Sequence, residues 1–202
     1  MLTEDIQQDK MIISRHINSI FNSNTYIIEN KVSDYCYLID IGDVDWIIDK
    51  SLNIKSIFLT HSHFDHIYGI NKIIEKYPEC VIYTSEYGEK ALSSDKLNMS
   101  KYHETPLTYC GRNIKILHDG DKVDLFGGIT LNVISTSGHC PSCITYYTDD
   151  YIFTGDSYIP GIKVVTNLPK GNKIQAQESV EKIKRFIKNR TICPGHGEMV
   201  II

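Results

Sequence analysis

Thr60-His61-Ser62-His63-Phe64-Asp65-His66 decides how the rest of this 202-residue chain is read. The run follows an apolar strand candidate, Ser56-Ile57-Phe58-Leu59-Thr60. It precedes a segment, Asp65 to Tyr77, in which Ile67, Ile70, Ile73, Ile74 and Tyr77 fall at helical spacing. The local order is strand, loop, helix. His61 and His63, two apart in an extended segment, point to the same side. Asp65 and His66 are expected on the first helical turn, where the helix N-terminus favours a carboxylate. Imidazole and carboxylate groups therefore converge on one small volume, and these ligand types suit zinc or iron.

Further ligand-type residues follow other strand candidates, each after a glycine: Gly138-His139, Gly155-Asp156 and Gly195-His196. In each case an apolar strand ends, glycine permits a sharp turn and close backbone approach, and a ligand-type side chain follows. Four strand ends are expected to bring seven ligands, His61, His63, Asp65, His66, His139, Asp156 and His196, to one sheet edge. Left without metal, such a cluster would bury charge with no compensating gain. A purely structural zinc is disfavoured, because closed sites are mostly cysteine-rich, whereas this set leaves coordination positions for water.

Outward from this cluster, strands are expected at Met11–Ile13, Thr25–Glu29 and Tyr35–Asp40 as an antiparallel meander, then at Cys80–Thr84. Others follow at Ile114–His118, Ile129–Ser135, Ser142–Tyr147, Tyr151–Thr154 and Thr191–Pro194. Helices are expected at Asp43–Leu52, at Ser85–Leu92 with Ser85 as N-cap, and at Lys173–Arg190. In the last, Ala176, Val180, Ile183 and Ile187 form one stripe beside a solvated basic face. No repeat or linker interrupts this mixture, and the length suits a single domain over residues 1–202 of the α+β class.

With 21 Lys and Arg against 25 Asp and Glu the net charge is −4, which gives no ground for a nucleic-acid or anionic-membrane surface. Residues 1–10 carry Glu4, Asp5 and Asp9 with no apolar run behind them, and no window approaches 18 apolar residues, so a cytoplasmic protein with no membrane association is expected. Six scattered cysteines, Cys36, Cys80, Cys110, Cys140, Cys143 and Cys193, read as mostly reduced and buried rather than as a disulfide framework.

On these motifs the chain resembles the metallo-β-lactamase superfamily, on its glyoxalase II-like side. The resemblance runs from Asn24-Thr25-Tyr26-Ile27-Ile28 and Leu38-Ile39-Asp40-Ile41-Gly42 to Cys193-Pro194-Gly195-His196-Gly197. It implies an αββα four-layer sandwich with metals at one edge of the two sheets. Carried over by position, His61, His63 and His139 hold a first metal and Asp65, His66 and His196 a second. Asp156 bridges them, with a hydroxide between the metals as nucleophile. Two divalent ions are implied, with zinc ahead of iron or manganese. Asp65 is also a candidate to orient the hydroxide or shuttle its proton.

Within the superfamily, Asp156 stands where zinc-dependent antibiotic hydrolases commonly carry a cysteine or no bridging ligand, which argues against antibiotic hydrolysis. Only Gly197 to Ile202 follow the last ligand, so the helical domain that grips glutathione in longer glyoxalase II enzymes is not expected, nor is the added domain of a tRNA-processing nuclease. Ser157 to Asn172 resembles the substrate-side loop, but Val164-Val165 replaces the usual Gly-Arg pair. Lys163, Lys170 and Lys173 are then candidates to bind an anionic substrate, and Tyr158 to donate a hydrogen bond to the reacting oxygen. Cys140-Pro141-Ser142-Cys143 has redox-pair spacing where relatives carry a Thr-Pro-Gly-Ser-like turn; it reads as inert buried thiols, with a thiol-linked role as the alternative.

The leading expectation is a dinuclear metal-dependent hydrolase cleaving an ester-like bond of a small molecule, thioester before lactone or phosphodiester, and acting as a possible homodimer. The alternatives are a mononuclear iron oxygenase acting on persulfides, since members with that activity share the first-metal ligands, and a non-catalytic metal-binding sensor.

Overall fold

The computed structural model describes residues 11–202, so the reading of residues 1–10 lies outside the described residues. The chain runs through β1 (Ile12–Ile17), β2 (Asn24–Glu29), β3 (Cys36–Ile39), α1 (Asp45–Asp49), β4 (Ile54–Phe58), α2 (Ile70–Lys76), β5 (Val81–Thr84), α3 (Glu86–Leu92) and β6 (Ile114–Ile116). These six strands form one sheet in chain order. Its first three strands are the expected antiparallel meander. From β3 to β6 the pairing is parallel, with helices in the crossovers. The second sheet takes β7 (Lys122–Phe126), β8 (Ile129–Ser135), β9 (Ile144–Tyr147), β10 (Tyr151–Gly155) and β11 (Thr191–Pro194), with α4 (Lys173–Ile187) in the β10 to β11 crossover. β7 to β10 pair antiparallel and β10 with β11 parallel.

Alternation along these strands sorts the buried apolar side chains into three clusters. On β2 and β3, Ile27 and Leu38 join Ile57 of β4 and Ile82 of β5 on one face, against Ile47 of α1, Ile70 and Ile73 of α2 and Leu92 of α3. Their neighbours Tyr26, Ile28, Tyr37 and Ile39 turn the other way, with Phe58, to meet Leu131, Val133, Tyr146 and Phe153 of the second sheet. The far side of that sheet presents Ile134, Ile152 and Ile192 to Ile183 and Ile187 of α4. Three apolar interfaces separate four layers, helix, sheet, sheet, helix, which is the αββα sandwich of an α+β protein. Each fully buried Ile, Leu or Phe contributes about 1.5–3 kcal/mol to holding the layers together.

Capping follows sequence where polar residues flank the helices. Ser85 Oγ accepts from Gly88 N at 3.1 Å, and Asn172 Oδ1 accepts from Ile174 N and Gln175 N at 3.0 and 3.1 Å. Two expectations need correction. Asp65 and His66 do not open the α-helix: Phe64–His66 is a separate turn of 3₁₀ helix, and α2 starts only at Ile70. β7 had no counterpart in the sequence reading, although Val123 and Leu125 alternate with Lys122 and Asp124.

The stripe on α4 buries Ala176, Ile183 and Ile187 as expected, with Ser179 in addition, while Val180, also expected on the stripe, is only half-buried. Its basic side is more than solvated: Lys182 Nζ bonds Asp119 Oδ1 at 2.6 Å and the Ser135 carbonyl at 3.1 Å, tying the helix to the second sheet. Among the described residues, no helix is long and apolar enough to cross a membrane.

Candidate metal centre

The ligand-type residues lie beyond the C-terminal ends of β4, β8, β10 and β11, so both sheets contribute, as the family resemblance implies, rather than the edge of a single sheet. Cross-sheet hydrogen bonds lock the two together beneath the cluster. Ile144 N donates to the Thr60 carbonyl at 2.7 Å, Tyr146 Oη to the Leu59 carbonyl at 2.8 Å, and Ser62 N to Ser142 Oγ at 3.1 Å. Close approach explains two of the glycines. A Cβ on Gly155, whose φ is +50°, would lie 2.5 Å from Thr60 Oγ1, and one on Gly195 would lie 2.2 Å from Asp156 Oδ1. Gly195 is thus needed for space rather than for a left-handed turn.

Besides Asp40, His61 and His66, of which Asp40 and His66 are hydrogen-bonded to each other, two groups of side chains converge tightly enough for each to hold one ion: His61, His63 and His139 in one, Asp65, His66 and His196 in the other. Asp156 stands between them. Its Oδ1 lies 3.6 Å from His66 Nε2, and its Oδ2 lies 3.5 Å from both His139 Nε2 and His196 Nε2. Asp65 Oδ2 is 3.2 Å from His66 Nε2 and 3.3 Å from His196 Nε2. All seven residues named from the sequence are therefore in one place.

The outer hydrogen bonds fix which ring nitrogens face inward. A carbonyl only accepts, so His139 Nδ1–H donates to the Val165 carbonyl at 2.8 Å and His196 Nδ1–H to the Phe21 carbonyl at 3.1 Å. His66 Nδ1–H donates to Asp40 Oδ2 at 2.9 Å. Thr60 Oγ1–H donates to the same carboxylate at 2.6 Å, which leaves Thr60 Oγ1 to accept from His61 Nδ1–H at 3.1 Å. His61, His66, His139 and His196 thus all aim Nε2 into the cluster, where neutral rings carry lone pairs.

Those inward nitrogens crowd one another. His66 Nε2 lies 3.3 Å from His196 Nε2, and His139 Nε2 lies 2.9 Å from His63 Nδ1. Two lone pairs at such separations repel unless a proton or a cation sits among them. His61 Nε2 and Asp156 Oδ1 are buried with no hydrogen-bond partner at all. The donor set, the inward lone pairs and the two orphaned atoms fit metal ions.

Electrostatics point the same way. Burial, and then the nearby His66 charge, push His61 well below the usual histidine range, and burial also lowers His139 despite Asp156. Both rings are held neutral, as ligands must be. Burial alone would lower His66 and His196 too. The carboxylates of Asp65 and Asp40 outweigh it for His66, which is raised well above its usual value; Asp156 and Asp65 outweigh it for His196, which is raised to about 9. Burial alone would raise Asp65 and Asp156, yet the surrounding imidazoles hold both far below the carboxylate range. Protons and cations compete for the nitrogens that these carboxylates face.

Asp40 was visible in the sequence only inside Leu38-Ile39-Asp40-Ile41-Gly42, with no role attached. It is fully buried, accepts from Thr60 N at 2.7 Å as well as from Thr60 Oγ1 and His66, and has a left-handed backbone, φ +57°. Such a conformation costs a non-glycine residue about 1–3 kcal/mol and recurs at functional sites. The carbonyls of Phe21 and Val165 are the other unforeseen partners.

The substrate-side candidates are placed elsewhere. Tyr158 packs beside Ile183 of α4 and lines, with Lys163, Val164 and Lys173, a groove of about 430 Å³ between residues 158–166 and that helix. Lys170 is exposed in the intervening turn, with φ +69°. The groove is lined by Val164 and Thr166, the chain neighbours of Val165, whose carbonyl holds His139.

Residues 19–196 match the model of the metallo-beta-lactamase superfamily. Among solved structures, the chain is similar to BLEG-1 B3 metallo-beta-lactamase, with TM-score 0.83 and 22% identity over 94% of both chains. TTHA1623 in a di-iron-bound form gives TM-score 0.78 and 21% identity, covering 93% of this chain and 94% of that one. ETHE1 from Myxococcus xanthus gives 0.71 and 22%, covering 93% of this chain and 76% of that one. These likenesses are of fold, and together with the family match over most of the sequence they show that the chain belongs to the metallo-beta-lactamase superfamily.

Proposed function

We propose that this protein is a dinuclear metal-dependent hydrolase that cleaves an ester-like bond of a small molecule, a thioester ahead of a lactone or phosphodiester. The observation that carries the reading is Asp156, whose two oxygens lie between the His61, His63, His139 group and the Asp65, His66, His196 group. A carboxylate so placed suits two ions better than one. Bound there, two divalent ions, zinc ahead of iron or manganese, would supply an activated water and polarise the scissile carbonyl or phosphoryl oxygen.

The chain's own residues would hold and orient the reactants. Asp65, ionised and flanked by His66 and His196, is placed to receive a proton at Oδ2. The Lys163 and Lys173 ammonium groups border the groove beside Val165 and suit an anionic part of the substrate; Lys170, in the adjoining turn, adds positive charge, and Tyr158 offers a hydroxyl there. The reading includes action in the cytoplasm as a single-domain chain, where six free thiols are at home, with assembly as a homodimer.

The complete Asp65, His66, His196 group favours this over a mononuclear iron persulfide oxygenase, for which it would have no task. Elemental analysis of the purified protein, followed by a thioester and lactone panel, tests it. Two ions per chain with turnover is the expected result; one iron with oxygen consumption would replace the hydrolase by the oxygenase, and tight metal with no turnover of any ester by the sensor.

A further inference from the structure

Cys140 and Cys143 are used by nothing described so far, and their surroundings are unlike those of the other four thiols. Their sulfurs are 3.4 Å apart, both side chains are nearly sealed from solvent, and the residues between them make a turn in which Cys143 N donates to the Cys140 carbonyl at 3.4 Å. Closing that gap to a disulfide's roughly 2.05 Å requires a movement of about an ångström, and i to i+3 spacing in a turn is the spacing of redox dithiols. Cys36, Cys80, Cys110 and Cys193 are free as well, and no hydrogen bond joins any of them to another cysteine among the described residues.

The pair is wired to both arms of the His61, His63, His139 group. Cys140 directly follows His139. Its sulfur is 3.0 Å from Ser142 Oγ, and that hydroxyl accepts from Ser62 N at 3.1 Å and lies 2.9 Å from Ser62 Oγ, between His61 and His63. A shift of Cys140 Sγ toward Cys143 alters its contact with Ser142 Oγ and pulls on the backbone of His139, the residue before it. A metal held by both arms would feel the change, because supporting contacts around ligands are worth about 10- to 100-fold in affinity.

From this geometry we infer that Cys140 and Cys143 form an oxidisable dithiol whose disulfide loosens the adjoining metal site, with a peroxide as oxidant. In the balanced step the Cys140 sulfur takes one oxygen of hydrogen peroxide, breaking the O–O bond and releasing water. The Cys143 sulfur then displaces that oxygen as a second water, so two thiols and one peroxide yield one disulfide and two waters. A thiol reductant reverses it. Formation of the disulfide is independent of the proposed function; only its effect on metal retention rests on that reading.

The test uses the zinc-loaded full chain carrying Cys110→Ser, since Cys110 is exposed. After peroxide treatment and blocking of free thiols, trypsin releases Val123–Lys163, which contains no other cysteine. The expected result is this peptide lighter by two hydrogens and unblocked, restored by dithiothreitol, with zinc release to a chromogenic chelator about tenfold faster in the oxidised protein. Cys143→Ala and, separately, Cys140→Ala should abolish both the disulfide and the peroxide-induced release. Should Cys140 and Cys143 stay thiols at peroxide doses that oxidise Cys110 in the unsubstituted chain, the inference is overturned. A disulfide with unchanged zinc release would overturn the coupling alone and leave the dithiol standing.

Discussion

Asp40 Oδ2 sits 2.9 Å from His66 Nδ1, and both side chains are essentially closed to solvent. Burial pushes the Asp40 carboxyl up, against the pull of His66 and Thr60, while Asp65 and Asp40 together raise His66. The carboxylate keeps the His66 proton on Nδ1 and so turns Nε2 toward Asp65, Asp156 and His196. Asp40→Asn preserves shape and an acceptor but removes the charge. Its expected effect is a metal affinity lower by about 10- to 100-fold, with the fold retained, measured by competition with a chelator and by circular dichroism. Asp40→Ala should instead destabilise the protein, since Thr60 and His66 would lose a buried charged partner, at about 3–5 kcal/mol.

Asp156 and His63 separate the bridge from a single-site ligand. Asp156→Ala should reduce bound metal from two ions per chain and lower turnover by about two orders of magnitude. His63→Ala should weaken the His61, His63, His139 group first and leave Asp65, His66 and His196 with their contacts intact. Metal stoichiometry by plasma emission, read beside turnover, distinguishes the two. Two ions retained by Asp156→Ala would refute the bridging role.

The cluster was legible because its members announce themselves locally: four stand within six residues of one another, and three follow a glycine at a strand end. The layers were legible because strands such as Asn24–Glu29 carry short apolar runs between turn residues and helix Lys173–Ile187 carries a clear period. What escaped depends on the third dimension. The Phe21 and Val165 carbonyls have no side-chain signature, and Asp40 gains its role only when the β3 end folds against Thr60. Tyr158 is two residues from Asp156 in sequence, yet it packs with the Ile183 cluster against α4. The period from Ile67 onward resembled one helix because a 3₁₀ turn and a following α-helix share nearly the same spacing of apolar side chains.

Gly195 offers a test by volume alone. An alanine Cβ there would meet Asp156 Oδ1 at 2.2 Å, the Gly155 carbonyl carbon at 2.9 Å and His66 Cε1 at 3.0 Å. Backbone and a buried ring cannot yield easily, so the Asp156 carboxylate must move. Gly195→Ala should therefore cut metal affinity and activity by about tenfold or more while changing no ligand-type residue. Calorimetric zinc titration of the variant beside wild type measures it, and unchanged affinity would mean that Asp156 has more freedom than its contacts imply.

Asp43 supplies a pH-dependent support away from the cluster. Its carboxylate accepts from Tyr68 Oη at 2.5 Å and from Ser19 N and Ser19 Oγ, both at 2.8 Å, fixing residues 18–23 and with them the Phe21 carbonyl that holds His196. Burial alone would raise the Asp43 pKa, but these bonds outweigh it and leave it below the usual value. A folded pKa below the unfolded one, about 3.9, means that the stabilisation is complete above that pH and is lost as pH falls through the folded value. Because Asp43 is about one-third exposed, the bonds contribute on the order of 1–2 kcal/mol rather than the sum of three. Asp43→Asn should then lower the melting temperature by roughly 2–6 °C at neutral pH. The gap to wild type should narrow only below about pH 4, where the wild-type carboxylate itself takes up a proton. Melting curves of both proteins from pH 7 down to pH 3 show the sign directly, and a gap that widened toward acid would rule out the assignment of these bonds to an ionised Asp43.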